Sequence, residues 1–139
     1  MTLKSNKIIA NRFYEIFNSG NLDQLYEIVA TDFVDRSALP GQVEGIAWLI
    51  QTMSTFRIGF PDIYYTVHES IAAGDKVILR VTGFGKHTGN YMGIPPTGKE
   101  ISFHEIDIFQ IAKGKITEAW HVEDMRTAME EIFSQRRPV

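Results

Sequence analysis

The sequence contains no cysteine, which rules out disulfides, thiolate nucleophiles and sulfur-ligated metals. It also has no surplus of positive charge. Against 17 Asp and Glu stand 14 Lys and Arg, a formal net charge of -3, so no basic field is available to hold a nucleic-acid backbone. No run approaches the roughly 18 consecutive apolar residues of a membrane span, and the opening Met-Thr-Leu-Lys-Ser-Asn-Lys leads into a helical pattern instead of a signal-peptide core. A soluble, cytoplasmic protein with neither membrane nor nucleic acid as partner is expected. G-x-G-x-x-G, P-loop and G-x-S-x-G patterns are absent, which removes common dinucleotide, phosphate and serine-hydrolase signatures. His68, His87, His104 and His121 lack H-x-x-x-H or H-E-x-x-H spacing, so no metal and no cofactor is expected. There is no internal repeat, linker or low-complexity segment.

What is present suffices for one domain over residues 1–139, with 44% hydrophobic and 12% aromatic content to build a core. From Leu3 to Ser19, Ile9, Phe13, Ile16 and Phe17 recur at helical spacing, with Gly20 as the stop. Asn21 is placed to cap a second helix striped by Leu22, Leu25, Ile28 and Val29 and ending near Thr31-Asp32. Phe33 to Asp35 reads as a short strand, and Arg36 to Gly45, holding Pro40-Gly41, as an irregular loop. A third helix carries Ile46, Leu49, Ile50, Met53 and Phe56 and stops at Gly59-Phe60-Pro61-Asp62. Ile63 to Ala73 and Lys76 to His87 read as long strands around a turn at Gly74. Thr88 to Lys99, with three glycines and Pro95-Pro96, must be a shaped loop. After Asp124 comes a short closing helix marked by Met125, Ala128, Met129, Ile132 and Phe133, with Arg136 and Arg137 near its negative end. The fold class is α+β: a curved antiparallel sheet of four to five strands wrapped around about three N-terminal and central helices, with room for a cavity between the layers.

The most informative stretch is Glu100 to Asp124. Apolar and polar residues alternate on both sides of Lys113-Gly114, which predicts a hairpin. Phe103, Glu105, Asp107 and Phe109 share one face of its first strand, so that face is aromatic and acidic at once. A three-residue loop with Gly114 as a left-handed bulge sets His121 on the Glu105/Asp107 face. A two-residue loop slips the register and sets Trp120 and Asp124 there instead. Spacing alone leaves both open.

An imidazole beside a carboxylate is a plausible proton-transfer pair, since the carboxylate fixes the tautomer and raises the imidazole pKa while burial lowers it. The plainer alternative is a cross-strand ion pair worth under about 1 kcal/mol. Asp124 equally suits a helix N-cap. Trp120, Phe13, Tyr14, Phe17, Phe56, Phe84 and Phe109 equally suit a core, where each large aromatic contributes some 1.5 to 3 kcal/mol.

His87-x-Gly89, Gly93-Ile94-Pro95-Pro96-Thr97-Gly98, Asp107, Gly114-Lys115-Ile116, Trp120 and Asp124 together resemble the SnoaL-like polyketide cyclase family, and the opening F-Y-E-I-F-N-S-G-N-L-D extends the likeness over nearly the whole chain. The resemblance implies the nuclear-transport-factor-two-like fold, a cone of curved sheet around helices with a deep pocket. It implies cofactor-independent aldol ring closure of a polyketide ester, using a carboxylate on the last strand with a histidine and a glutamine on its neighbour. Carried over, the carboxylate's position falls on His121, the histidine's on Asp107 and the glutamine's on Glu105. Asp35 takes the place of a pocket asparagine.

The expected catalytic residues are therefore His121 as proton-abstracting base, Asp107 as its orienting partner and Glu105 as a proton donor. Asp35, His87, Trp120, Phe109 and Tyr14 are expected to bind substrate. The substrate class is a small apolar molecule with a carbonyl or ester group, open to cyclisation, isomerisation or hydrolysis. Two other readings stand beside this one: a non-catalytic small-molecule-binding domain, and an association module that pairs copies of the chain as a homodimer or higher homo-oligomer through the outer sheet face around His68, His104 and Ile106.

Overall fold

Thr2 starts the fold as an N-cap. In the computed structural model, which describes residues 2–37 and 45–134, its hydroxyl accepts the Ser5 N–H at 3.0 Å while the Ser5 hydroxyl reaches back to the Thr2 backbone. Helix α1 then runs Leu3–Ser19 and ends at Gly20 in the left-handed conformation, φ 78°. Its buried face carries Ala10, Phe13, Tyr14 and Phe17.

The expected second helix is only a 3-10 turn over Leu22–Glu27, and Asn21 makes no side-chain cap. Val29, expected on its stripe, already begins strand β1, Val29–Asp35. The β-branched run Ile28-Val29 and Thr31 resists continuation of the helix. The loop expected after Arg36 lies largely outside the described residues, as do Arg136 and Arg137. Helix α2 follows at Ile46–Gly59, then β2 (Tyr64–Ala73), β3 (Lys76–Lys86), β4 (Glu100–Ala112), β5 (Lys115–Glu123) and α3 (Met125–Ser134).

The strands form one curved, unclosed sheet in the order β1-β5-β4-β3-β2. β2 to β5 are antiparallel neighbours, whereas β1 lies parallel to β5, a departure from the all-antiparallel expectation. That pairing positions the site. Arg36 N–H donates to Ala119 O at 2.8 Å and His121 N–H to Ser37 Oγ at 2.9 Å, so the end of β1 is held against the middle of β5. The helices cover the inner sheet face, where Val77, Leu79, Val81, Phe103 and Ile111 are buried with Phe13, Phe17 and Leu25.

The β4–β5 register combines features of both alternatives left open by the sequence. The turn has two residues, Lys113 and Gly114, both left-handed at φ 53° and 77°, with Ala112 opposite Lys115, as a type I′ hairpin requires. Yet Asp107 lies opposite His121 and Phe109 opposite Ala119. The slip is absorbed further along: Gln110 pairs with Glu118 while Ile111 pairs with Ile116, leaving Thr117 as a bulge whose hydroxyl donates to Gln110 O at 3.2 Å.

The loop from Thr88 to Lys99 is anchored at its base. His87 is wholly buried, its Nδ1 2.9 Å from Thr97 Oγ1 and accepting the Thr97 N–H at 3.3 Å. Gly89 N–H donates to Gly59 O at 3.1 Å, an approach so close that a Cβ on Gly89 would sit 1.9 Å from Ile58 O. The same loop delivers Tyr91 to the inner face, its ring 5.4 Å from that of Phe60.

Candidate active site

Between α1, α2 and the inner face of the sheet lies a cavity of about 340 Å³, with walls that include Phe13, Phe17, Trp48, Met53, Phe56 and Tyr91. Its polar groups come in two clusters. Both are built on the period-two alternation of β4 and β5, which sends Glu105 and Asp107, and opposite them His121 and Glu123, to the same side.

The first cluster is centred on His121. Its Nε2 donates to Asp35 Oδ2 at 2.9 Å and its Nδ1 donates to Glu123 Oε2 at 2.7 Å. The other Asp35 oxygen accepts the Ser37 N–H at 2.9 Å, which fixes the carboxylate. The hydrogen bonds from Asp35 and Glu123 push the His121 pKa from its ordinary value up to about 11, against the opposing effect of burial. His121 is thus an imidazolium with both nitrogens protonated. The ring's hydrogen-bond partners are Asp35 and Glu123, whereas Asp107 was expected to orient it. Asp107 lies across the strand pair and feels His121 through its charge, which works to lower the carboxyl's pKa.

The second cluster is Glu105, Asp107 and Tyr14. Tyr14, buried in α1, places its hydroxyl 2.8 Å from Glu105 Oε2 and in hydrogen-bond contact with Asp107 Oδ2. Desolvation pushes the Glu105 carboxyl well above its usual range, reinforced by a hydrogen bond to Asp107 and by the charges of Asp107 and Glu123. Asp107, 2% exposed, is also raised by burial, although hydrogen bonds from Glu105 and Tyr14 hold it back. Burial thus favours a proton in this cluster, with the upward push stronger on Glu105 than on Asp107. Tyr14 is pushed up by burial and by the two carboxyls, so its hydroxyl stays neutral. Tyr65, with its ring 5.0 Å from that of Tyr14, is raised for the same reasons.

Six of the eight residues singled out in the sequence line this cavity: His121, Asp107, Glu105, Asp35, Phe109 and Tyr14. The other two do not. His87 is turned into the base of the loop after β3, where it bonds Thr97. Trp120 pairs with Ile108 and therefore lies on the outer face, opposite to its neighbours Ala119 and His121. Asp124 directly precedes α3 and gives its carboxylate to the His104 N–H at 2.5 Å, closing the strand ladder.

Sequence reasoning passed over Glu123, although its spacing of two from His121 on one strand was the available signal, and over Trp48, Tyr65 and Tyr91. It also missed that Glu105, His121 and Glu123 bring one potential ligand atom each within 4.8 Å of one another. A metal bound there would have to displace the proton that His121 gives to Glu123.

A family model described as SnoaL-like polyketide cyclase matches residues 7–132. The chain is 26% identical over 117 residues to aklanonic acid methyl ester cyclase DnrD of Streptomyces peucetius, covering 78% of this chain and 77% of that one. It is 23% identical over 118 residues to the nogalonic acid methyl ester cyclase of Streptomyces nogalater, covering 84% and 88%. Among solved structures, TsrD from Streptomyces laurentii superposes with a TM-score of 0.84 at 23% identity, over 95% of this chain and 97% of that one, a likeness of fold.

Proposed function

The chain belongs to the SnoaL-like polyketide cyclase family, and we propose that it is a cofactor-independent enzyme closing a ring, by an aldol-type step, in a small and largely apolar carbonyl compound such as a polyketide-derived ester. One observation carries this reading: His121, clamped between Asp35 and Glu123, and the buried carboxyl of Asp107 face the same aromatic cavity. Asp107 removes a proton alpha to one carbonyl. The carbanion attacks a second carbonyl within the same molecule, and His121 donates a proton to the oxygen of that carbonyl as the carbon–carbon bond forms. An acid whose pKa is about 11 is charged at neutral pH and still strong enough to protonate an alkoxide. Asp35 and Glu123 hold the ring in position, and the aromatic walls bind the substrate body. The cyclase names of the two relatives support the reaction class.

A panel of aromatic polyketide esters, aklanonic acid methyl ester among them, tests this by thermal shift and then by chromatography. Stabilisation accompanied by a cyclised product is expected. Saturable binding of a ligand recovered unchanged would make the protein a binding domain instead.

The oligomer belongs to the same proposal. Ile71, Ile78, Ile108 and Trp120 stand in register across four strands on the outer face. Beside them Ile106 is 50% and Val122 77% exposed, and a second copy of the chain is the natural cover for such a row. Light scattering is expected to give a dimer that Ile106→Lys converts to monomer. A wild-type monomer at high concentration would contradict it.

A further inference from the structure

The cavity wall joins aromatic rings to an excess of acid. Among the described residues it carries the carboxyls of Asp35, Glu105, Asp107 and Glu123 and the imidazole of His121, with no lysine or arginine. We propose that the cavity selects an organic cation, an apolar carbonyl compound bearing a protonated amine, whose ammonium lies between Glu105 and Glu123 while its body covers the aromatic walls. The carbonyl part rests on the ring-closing reading above; the cationic part rests on the walls alone.

His121 is the one cation of the described wall, and Asp35 and Glu123 both bond to it. Two carboxylates on one imidazolium already leave a negative charge over, whichever protonation state Glu105 and Asp107 adopt. Glu105 and Glu123 stand directly opposite each other on β4 and β5, and like charges so placed weaken a sheet unless a cation comes between them. One oxygen of each lies within 4.8 Å of the other and of a His121 ring nitrogen, so a single ammonium reaches both carboxyls. Aromatic rings begin beside them. Tyr14 brings its hydroxyl to 2.8 Å from Glu105, and the rings of Tyr65 and Phe17 continue from Tyr14 at centroid spacings of 5.0 and 4.8 Å. Carboxylates set among aromatic faces hold a desolvated alkylammonium well, because the ring quadrupoles attract the charge and the alkyl groups are buried with it. A metal ion would use the oxygens and leave the rings uncovered.

The test is calorimetric titration of the intact protein with two tetralones of matched shape, one carrying a dimethylaminomethyl group and the other an isobutyl group at the same ring carbon. They differ only by a protonated nitrogen against a C–H. The ammonium probe is expected to bind about 30-fold more tightly. Glu123→Gln should cut that preference about tenfold while leaving the affinity of the isobutyl probe in place. Equal affinities, a preference for the isobutyl probe, or no binding of the ammonium probe would overturn the cationic assignment, and an undiminished preference in Glu123→Gln would overturn the placement of the ammonium. Entry of deuterium at the α carbon of the isobutyl probe, followed by NMR in D2O, reports separately on the acid–base reading. Exchange faster with the protein than without it leaves that reading standing where the cationic assignment fails; no acceleration for either probe overturns the acid–base reading itself. The wild-type comparison needs no variant and does not depend on how Glu123→Gln folds.

Discussion

Replacing His121 with glutamine is expected to lower turnover about 100-fold or more while leaving a folded protein. Glutamine keeps one N–H donor for Asp35 or Glu123 but carries no charge, so an alkoxide forming in the cavity loses both its proton source and its counter-ion. Substrate affinity should change little by comparison, because the aromatic walls are untouched. The same substitution should change how stability depends on pH. The folded pKa of about 11 lies above the ordinary 6.5, so the stabilisation from His121 is complete below the unfolded value. It is lost as pH rises through the folded one. A thermal melt series should therefore show wild type losing part of its advantage toward strongly alkaline pH, and the glutamine variant lacking that loss. An unchanged rate on an identified substrate would remove His121 from the chemistry.

Asp107→Asn should be the more damaging change, costing on the order of 1,000-fold in turnover, since it removes the base and leaves the acid with nothing to complete. The fold should tolerate it well. Asparagine accepts the Tyr14 hydroxyl through its carbonyl, and the site loses one of the charges that push Glu105 upward. Because the folded pKa of Glu105 lies above its unfolded value, the stability tied to its neutral form is present at low pH and lost as pH rises through the folded pKa. Relieving Asp107 brings that folded pKa down toward the unfolded one and so flattens the loss. The melting temperature of the variant should accordingly fall less than that of wild type between mildly acidic and mildly alkaline buffer. A steeper fall would mean that Glu105 is not the group holding the proton.

Elements governed by local pattern were legible in the sequence, and those governed by distant contacts were not. The spacing of Phe13, Ile16 and Phe17 with Gly20 beyond them gave α1, and the alternation from Glu100 onward gave the acidic and aromatic face of β4. The partners of His121 were hidden for two physical reasons. The bulge at Thr117 moves the register by one residue without any glycine or proline to announce it. The clamp from Asp35 depends on β1 pairing parallel with a strand 86 residues from Asp35 at His121, which no periodicity encodes. His87 and Trp120 were expected at the pocket; burial inside a loop anchor and the alternation of β5 beyond its bulge send them elsewhere. Glu123 was within reach, since a residue two positions from His121 shares its face.

A cation held by two carboxylates should keep both ring protons of His121 far above neutral pH. NMR titration of its ring nitrogens, in protein labelled at histidine, measures this directly. The expected result is an imidazolium with two N–H protons throughout the neutral range that titrates only near 11, and a lower value when Asp35 is replaced by asparagine. A neutral ring titrating close to the ordinary 6.5 would contradict it and return His121 to the role of base.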